Sequence, residues 1–258
     1  MTAIFMARSD AGIVAAADAA FYDNSGKLTF LNSKLTLMPE HDCVITLQGP
    51  FFYHPEIKAN LFCKTGGFDD VLQEITGVMR DIHAKHANAY GFSRAFVALI
   101  GGYSKSRQAW ETYWLHSEPG KEGANLPRHE PWVIRRARAT EWAPGYEAEA
   151  GSLAGFDPEK PLSEQGMNVE EVAIRTICAA RAQPIPIGDD PNNGTCQVGG
   201  YIQFARVEQR LITTSIAHSW PDPLGERLDP ACGDLVPSYL QLARQNDPDA
   251  SQPENHDA

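Results

Sequence analysis

The stretch TAIFMARSDAGIVAAAD, residues 2–18, sets two short apolar runs, Thr2 to Arg8 and Gly12 to Asp18, on either side of Ser9-Asp10-Ala11-Gly12. Neither run carries helix caps, and the four residues between them are turn formers, so the segment reads as a β-hairpin. Folding the chain back about position 10 returns Asp18 to the start of the first strand, beside Thr2. A second turn signal, Asp23-Asn24-Ser25-Gly26-Lys27, separates AAFY (residues 19–22) from LTFLNSKLTL (residues 28–37). Position 26 is midway between 18 and 34, so Asp18 and Lys34 are expected to face each other next to Thr2.

A threonine, an acid and a lysine at equal steps of sixteen carry a chemistry that none of them carries alone. Taken singly, Thr2 is a permissive second residue, Asp18 a strand-end residue and Lys34 an edge lysine that blocks strand pairing. Charged residues make up about a quarter of a typical chain, so an acid and a lysine fall on two prescribed positions about once in a hundred. Removal of Met1, which a residue as small as Thr2 permits, would leave a hydroxyl nucleophile carrying its own base, the free α-amino group. That is the minimal equipment of an N-terminal nucleophile hydrolase.

Beyond these three residues, the chain resembles the proteasome β-subunit family, including its bacterial relatives. The resemblance runs through DAGIVAAAD ending at Asp18, SKLTLMPEHDCVITLQG from Ser33 to Gly49, VEEVAIRTICAARAQ from Val169, and VGGYIQFARV from Val198. It implies an α+β fold of four layers, an αββα sandwich of two antiparallel sheets between helix layers. It also implies a threonine-type peptidase in which Thr2 attacks the peptide carbonyl and Lys34 lowers proton affinity around it. Asp18 would orient the lysine, and the Gly49 N–H would hold the oxyanion. The implied substrate is a peptide or unfolded protein and the implied assembly a homo-oligomeric ring, with an unfoldase possible but not identified by the sequence, and no cofactor or metal is called for. Two family elements are absent: no Ser-Gly pair occurs around Thr140, Glu141 and Trp142, and Thr195-Cys196-Gln197-Val198 stands where the family has Asp-x-x-Ser before Gly199-Gly200. A catalytically inactive structural subunit and an amidase for a small non-peptide amide are therefore the alternatives.

With 258 residues, 43% of them apolar, the chain can bury one sizeable core, and residues 1–245 are expected to form a single domain. Residues 246–258 read as a disordered acidic tail. A net charge of -11 with no basic run argues against nucleic acid as a partner. The longest apolar stretches, such as FVALIGG (residues 96–102), fall far short of the roughly 20 residues that cross a membrane, and the N-terminus lacks the basic segment of a signal peptide. Five cysteines without CxxC spacing suit a reducing cytoplasm. Cys196 is set apart from the others by its place in the polar loop from Gly188 to Gln197.

FDDVLQEITGVMRDIHAKHA places Phe68, Val71, Leu72, Ile75, Val78, Met79 and Ile82 on one helical stripe. Asn168 and Glu171 form a capping box that opens a second helix, with Met167 and Val172 as its hydrophobic staple. SRAFVALIGGYS and SRQAWETYWLHS read as a hairpin turning over Gly101-Gly102-Tyr103-Ser104, PWVIRRARA (residues 131–139) as a strand, and VGGYIQFARV with QRLITTSIAHS as a last hairpin. Glu118 to Pro131 and Pro144 to Gly166 read as long loops. Phe51, Phe52, Tyr53 and Phe62 are expected to give apolar contact surface for self-association. His83 and His86, near Asp81, read as a solvated helix face lacking a third metal ligand. The oxygen-rich Asp189, Asp190, Asn192 and Asn193 fail the calcium-loop spacing.

Overall fold

The computed structural model describes residues 2–23, 25–90, 95–118, 130–143, 156–182, 185–186 and 194–233. Its strands in chain order are β1 (Ile4–Ser9), β2 (Gly12–Asp18), β3 (Ala20–Tyr22), β4 (Leu28–Leu31), β5 (Leu35–Met38) and β6 (Cys43–Gln48). Two helices follow, α1 (Tyr53–Lys64) and α2 (Phe68–Tyr90), then β7 (Val97–Ser104), β8 (Ala109–His116), β9 (Arg135–Arg136) and β10 (Thr140–Ala143). Helix α3 (Val169–Ala182) precedes β11 (Ile185–Pro186), β12 (Gly194–Thr195), β13 (Tyr201–Glu208) and β14 (Leu211–Ser219).

Two antiparallel five-stranded sheets, ordered β10-β1-β2-β13-β14 and β5-β6-β7-β8-β9, lie face to face. Alternation along each strand assigns its two faces. Ile4 and Met6 of β1 meet Val44 of β6 and Leu99 of β7 in the core between the sheets. Phe5 and Ala7 face the other way, against Val172, Ala173 and Ile177 of α3. On the second sheet Ile45, Leu47, Ala98 and Ile100 turn outward to the stripe of α2 and to Tyr53, Ile57 and Leu61 of α1. The layers therefore run α3, sheet, sheet, α1 with α2: the four-layer α+β sandwich.

The first hairpin closes one residue tighter than a turn centred on position 10 would have it. Ser9 pairs with Gly12 and Ile4 with Ala17, and the Asp18 N–H donates to the Ala3 carbonyl, so Asp18 stands opposite Ala3. In the second turn Ala20 pairs with Leu31 and Phe21 with Phe30, and the pairing ends where the Asn32 N–H reaches the Ala19 carbonyl. Lys34 lies just past that end and arrives at Asp18 by the length of its side chain.

Several elements depart from the sequence reading. The β7–β8 hairpin turns over residues 105–108, and Gly101 and Gly102 are inside β7. They are glycine because of close approach: a Cβ on Gly101 would sit 2.6 Å from the Met6 sulfur, and one on Gly102 2.4 Å from the Phe68 ring. Helix α1 shows no amphipathic run to the eye, has Pro55 in its first turn and lacks a capping side chain, yet it buries Tyr53, Ile57 and Leu61 at four-residue steps. The stretch at 131–139 contributes only the two-residue β9, and TEWA forms β10, the edge partner of β1. Asn168 does cap α3, accepting from the N–H groups of Glu170 and Glu171 at 2.9 and 3.1 Å, while the Glu171 carboxylate pairs with Arg175 one turn on. His86 is buried rather than solvated: its ring is 4.2 Å from that of Phe52 and its Nε2 is 2.8 Å from Glu56. Residues 189–193 and the tail from 234 onward lie outside the described residues. No helix among the described residues is long and apolar enough to cross a membrane.

Candidate active site

Asp18 ends β2, and its carboxylate is a collecting point for donors. Oδ1 accepts from the Ala3 N–H at 2.9 Å, and Oδ2 from the N–H groups of Ala20 and Gly199 at 3.2 Å each. The Lys34 ammonium donates to both oxygens, at 3.0 and 2.9 Å. Both side chains are fully buried. A carboxylate holding three backbone N–H groups and an ammonium is satisfied without water, which is the condition for keeping an ion pair in a core. The other face of the lysine is covered by the Phe21 ring, 4.9 Å from Nζ. Burial pushes the Lys34 ammonium below the usual lysine value, and the Asp18 carboxylate opposes that shift.

Thr2 is buried and precedes Ala3, so the residues leading into β1 are tied to the ion pair through the Ala3 N–H. Gln48, at the end of β6, donates its side-chain amide to the Thr2 carbonyl at 3.2 Å and so joins the second sheet to the chain start. Gly49 follows directly, packed so closely that a Cβ would lie 2.9 Å from Cβ of Phe96. Thr2 and Gly49 line one cavity of about 720 Å³, whose other walls include Phe21, Phe30, Phe52 and Tyr53. Asp18 at the end of β2 and Lys34 on the approach to β5 are thus paired against the Ala3 N–H, while Thr2, just before β1, and Gly49, just after β6, share the cavity wall.

Sequence reasoning passed over Gln48, Phe21 and Gly199. Gly199 was visible only as half of a Gly-Gly pair, and the reason for it is steric as well as polar: a Cβ there would lie 2.5 Å from Asp222 and 2.9 Å from Arg181. Arg181 and Asp222 form a second fully buried ion pair, and Asp222 also accepts from the Gly200 N–H at 2.7 Å. Arg181 donates to the Val198 carbonyl at 2.7 Å. This pair fixes the strand of backbone that offers Gly199 to Asp18. Cys196 is buried with its thiol 3.1 Å from the Val198 carbonyl, and burial raises its pKa, so it is held as a thiol and not as a reactive thiolate.

His54 accompanies the lysine. Its Nδ1 meets the Thr36 hydroxyl at 2.9 Å, and burial, reinforced by the Lys34 charge, lowers its pKa from 6.5 to about 4. The folded state therefore holds His54 neutral where the unfolded chain would protonate it. Stability should fall as pH drops from 6.5 through about 4, by up to about 3 kcal/mol from this group. Urea denaturation of wild type and His54→Gln at pH 7 and pH 4.5 measures it: the gap between the two proteins should shrink or reverse at the lower pH. A gap independent of pH would show that His54 takes no part.

No family model matches the chain, and no curated protein matches it. Solved structures do match. One is Anbu (ancestral beta-subunit) from Yersinia bercovieri, 10% identical over 84% of this chain and 88% of that one, with a TM-score of 0.57. Another is a Gly-1 mutant of Anbu from Hyphomicrobium sp. strain MC1, 13% identical over 100% of both chains, with a TM-score of 0.59. At such identity the likeness is one of fold, a sheet and helix sandwich like that of Anbu. It also corrects the family expected from sequence. The chain is not placed among the proteasome β-subunits or their bacterial branch: no family model accepts it, and the folds it matches here are those of Anbu proteins at 10 and 13% identity. The shared motifs are four short stretches, and residues 195–198 lack the family's pattern, which is too little for membership.

Proposed function

We propose that this chain is a threonine-type N-terminal nucleophile hydrolase that cleaves peptide bonds. The observation that carries the reading is the buried Asp18–Lys34 pair, one residue from Thr2, with Thr2 opening onto the same cavity as Gly49. A fully buried ion pair is costly to keep and often gains nothing over an apolar pair, so its contact with the N–H of Ala3, the residue after Thr2, argues for chemistry rather than stability.

In this reading Met1 is removed and the Thr2 α-amino group, with an ordinary pKa of about 7.7 to 8.0, is the base. The Lys34 charge lowers that value further and favours the free amine. Thr2 Oγ bonds to the carbonyl carbon while its proton passes to the α-amino nitrogen. The oxyanion is held by the Gly49 N–H. Collapse breaks the C–N bond as the amine returns the proton to the leaving nitrogen, and water then hydrolyses the ester on Thr2. Gln48 holds the Thr2 carbonyl, and so the whole residue, in place for both steps.

A subunit that keeps the fold without the chemistry is the second reading, favoured by Thr195-Cys196-Gln197-Val198 where the resembled family has Asp-x-x-Ser. Mass spectrometry after treatment with an electrophile that needs both a hydroxyl and a free α-amine separates the two. A single adduct on a peptide beginning at Thr2 is expected. Retained Met1, or an untouched Thr2, would leave the noncatalytic subunit.

A further inference from the structure

The second buried ion pair lies on the far side of the backbone that holds Asp18. Arg181, near the end of α3, and Asp222, beyond β14, are joined by hydrogen bonds of 2.7 and 3.1 Å, and two successive peptide groups bridge this pair to Asp18 and its neighbours. In the peptide that links Val198 to Gly199, the carbonyl accepts from Arg181 Nη1 at 2.7 Å and the N–H donates to Asp18 Oδ2 at 3.2 Å. The next peptide, Gly199 to Gly200, points the other way. Its carbonyl accepts from the N–H groups of Ala19 and Ala20 at 3.2 and 3.1 Å, and its N–H donates to Asp222 Oδ2 at 2.7 Å.

A trans peptide is planar, with its C=O and N–H on opposite sides, so the hold on the Val198 oxygen sets where the Gly199 N–H lands. A cation on that oxygen also polarises the amide and makes its N–H the better donor, because hydrogen bonds in a chain strengthen one another. The reversal at the second peptide needs glycine: Gly200 takes a φ of +75°, and a Cβ there would lie 2.4 Å from Leu31. Arg181 has other work as well. Its Nη2 donates to the carbonyls of Asp229 and Cys232 at 2.8 and 3.3 Å, and the Trp220 ring centre is 4.6 Å from the guanidinium carbon. Those contacts account for an arginine that anchors the chain after β14. The bond to Val198 goes further, since the same amide ends on the carboxylate of the other pair.

We propose that Arg181 and Asp222 are positioning residues for the reaction: they hold the Val198–Gly199 peptide so that its N–H fixes Asp18, and Asp18 in turn aims the Lys34 ammonium. The proposal rests on the reading of Asp18 and Lys34 as the pair that serves Thr2.

Arg181→Lys keeps the charge but gives up the two-pronged hold on Asp222. It is compared with Val172→Ala, a core change on the same helix that removes no bond to either pair. Native-state hydrogen exchange, followed by NMR on the full chain, reads the Gly199 amide against the amides of β6 and β7. A loss of global stability speeds the slowest amides together, whereas a loss of positioning speeds Gly199 beyond them. In Arg181→Lys, Gly199 should gain about tenfold or more over the β6 and β7 amides, the worth of one hydrogen bond to a charged group. In Val172→Ala it should gain nothing over them. With a fluorogenic peptide amide, kcat should fall about tenfold or more in Arg181→Lys at unchanged KM, and Val172→Ala should keep the wild-type kcat. Where Arg181→Lys does not fold, Asp222→Asn, which loosens the same clamp from the Gly200 end, is read by the same criteria. Selective exchange at Gly199 with no hydrolysis by any of the proteins, wild type included, removes the hydrolase reading and leaves the link between the two ion pairs standing. Gly199 moving only in step with β6 and β7, or a wild-type kcat despite faster Gly199 exchange, overturns the proposal. So does the absence, in wild type, of a scalar coupling across the hydrogen bond from the Gly199 nitrogen to the Asp18 carboxyl carbon.

Discussion

Thr2→Ala should remove peptide hydrolysis while the protein melts within about 1 kcal/mol of wild type. Loss of the attacking oxygen from a site whose parts act as a unit typically costs more than about 10³-fold in kcat. The stability side follows from what the substitution deletes. Thr2 is buried, but its carbonyl, not its side chain, takes the bond from Gln48, and the Ala3 N–H that holds Asp18 is untouched. A small polar group at a chain end that anchors no network is worth little to folding. Thr2→Ser keeps the oxygen and should retain measurable turnover. Turnover of a fluorogenic peptide amide and a thermal melt on the same preparations decide it: wild-type rates in Thr2→Ala would sink the threonine mechanism outright.

Part of this arrangement was legible in the sequence, and its limits have physical causes. The meeting of Asp18 and Lys34 could be read from turn positions alone, because hairpin geometry converts spacing into adjacency. The register was off by one in each turn: in the first because a two-residue loop and a three-residue loop leave nearly the same composition behind, in the second because the β3–β4 pairing shifts between Phe21 and Tyr22, which no turn residue announces. Helix α2 announced itself through a long stripe, whereas α1, short and with Pro55 in its first turn, is fixed by its packing on β5 and β6 and not by its own pattern. The turn in the β7–β8 hairpin was misplaced because Gly101-Gly102 imitates a turn, and its real cause, the Met6 and Phe68 side chains pressing from both sides, is far away in sequence. Gln48, Phe21 and Gly199 act through contacts across 46, 13 and 181 residues, which no local signal carries.

Lys34 then separates charge from packing. Sequence alone suggests that its loss would harm turnover far more than stability, but with both partners fully buried the two effects should arrive together. Lys34→Met keeps the volume under the Phe21 ring and removes the ammonium, which leaves the Asp18 carboxylate buried with only its three N–H donors. Breaking one side of a buried pair costs about 3 to 5 kcal/mol, and the three remaining bonds set this case toward the lower figure. Asp18→Asn should be damaging in a different way, since it strands an ammonium whose pKa burial already lowers, and the lysine would shed its proton. In the double variant no charge is left to bury, so stability should recover by about 2 kcal/mol or more relative to the sum of the single changes. Turnover should not recover at all, because the cation that the proposed mechanism needs to lower the proton affinity of the Thr2 amine is gone in either case. Urea denaturation and fluorogenic turnover across the four proteins measure both arms of the cycle. Recovery of stability without recovery of rate is the signature of an ion pair kept for its chemistry, and recovery of both would reduce Asp18 and Lys34 to a replaceable piece of the core.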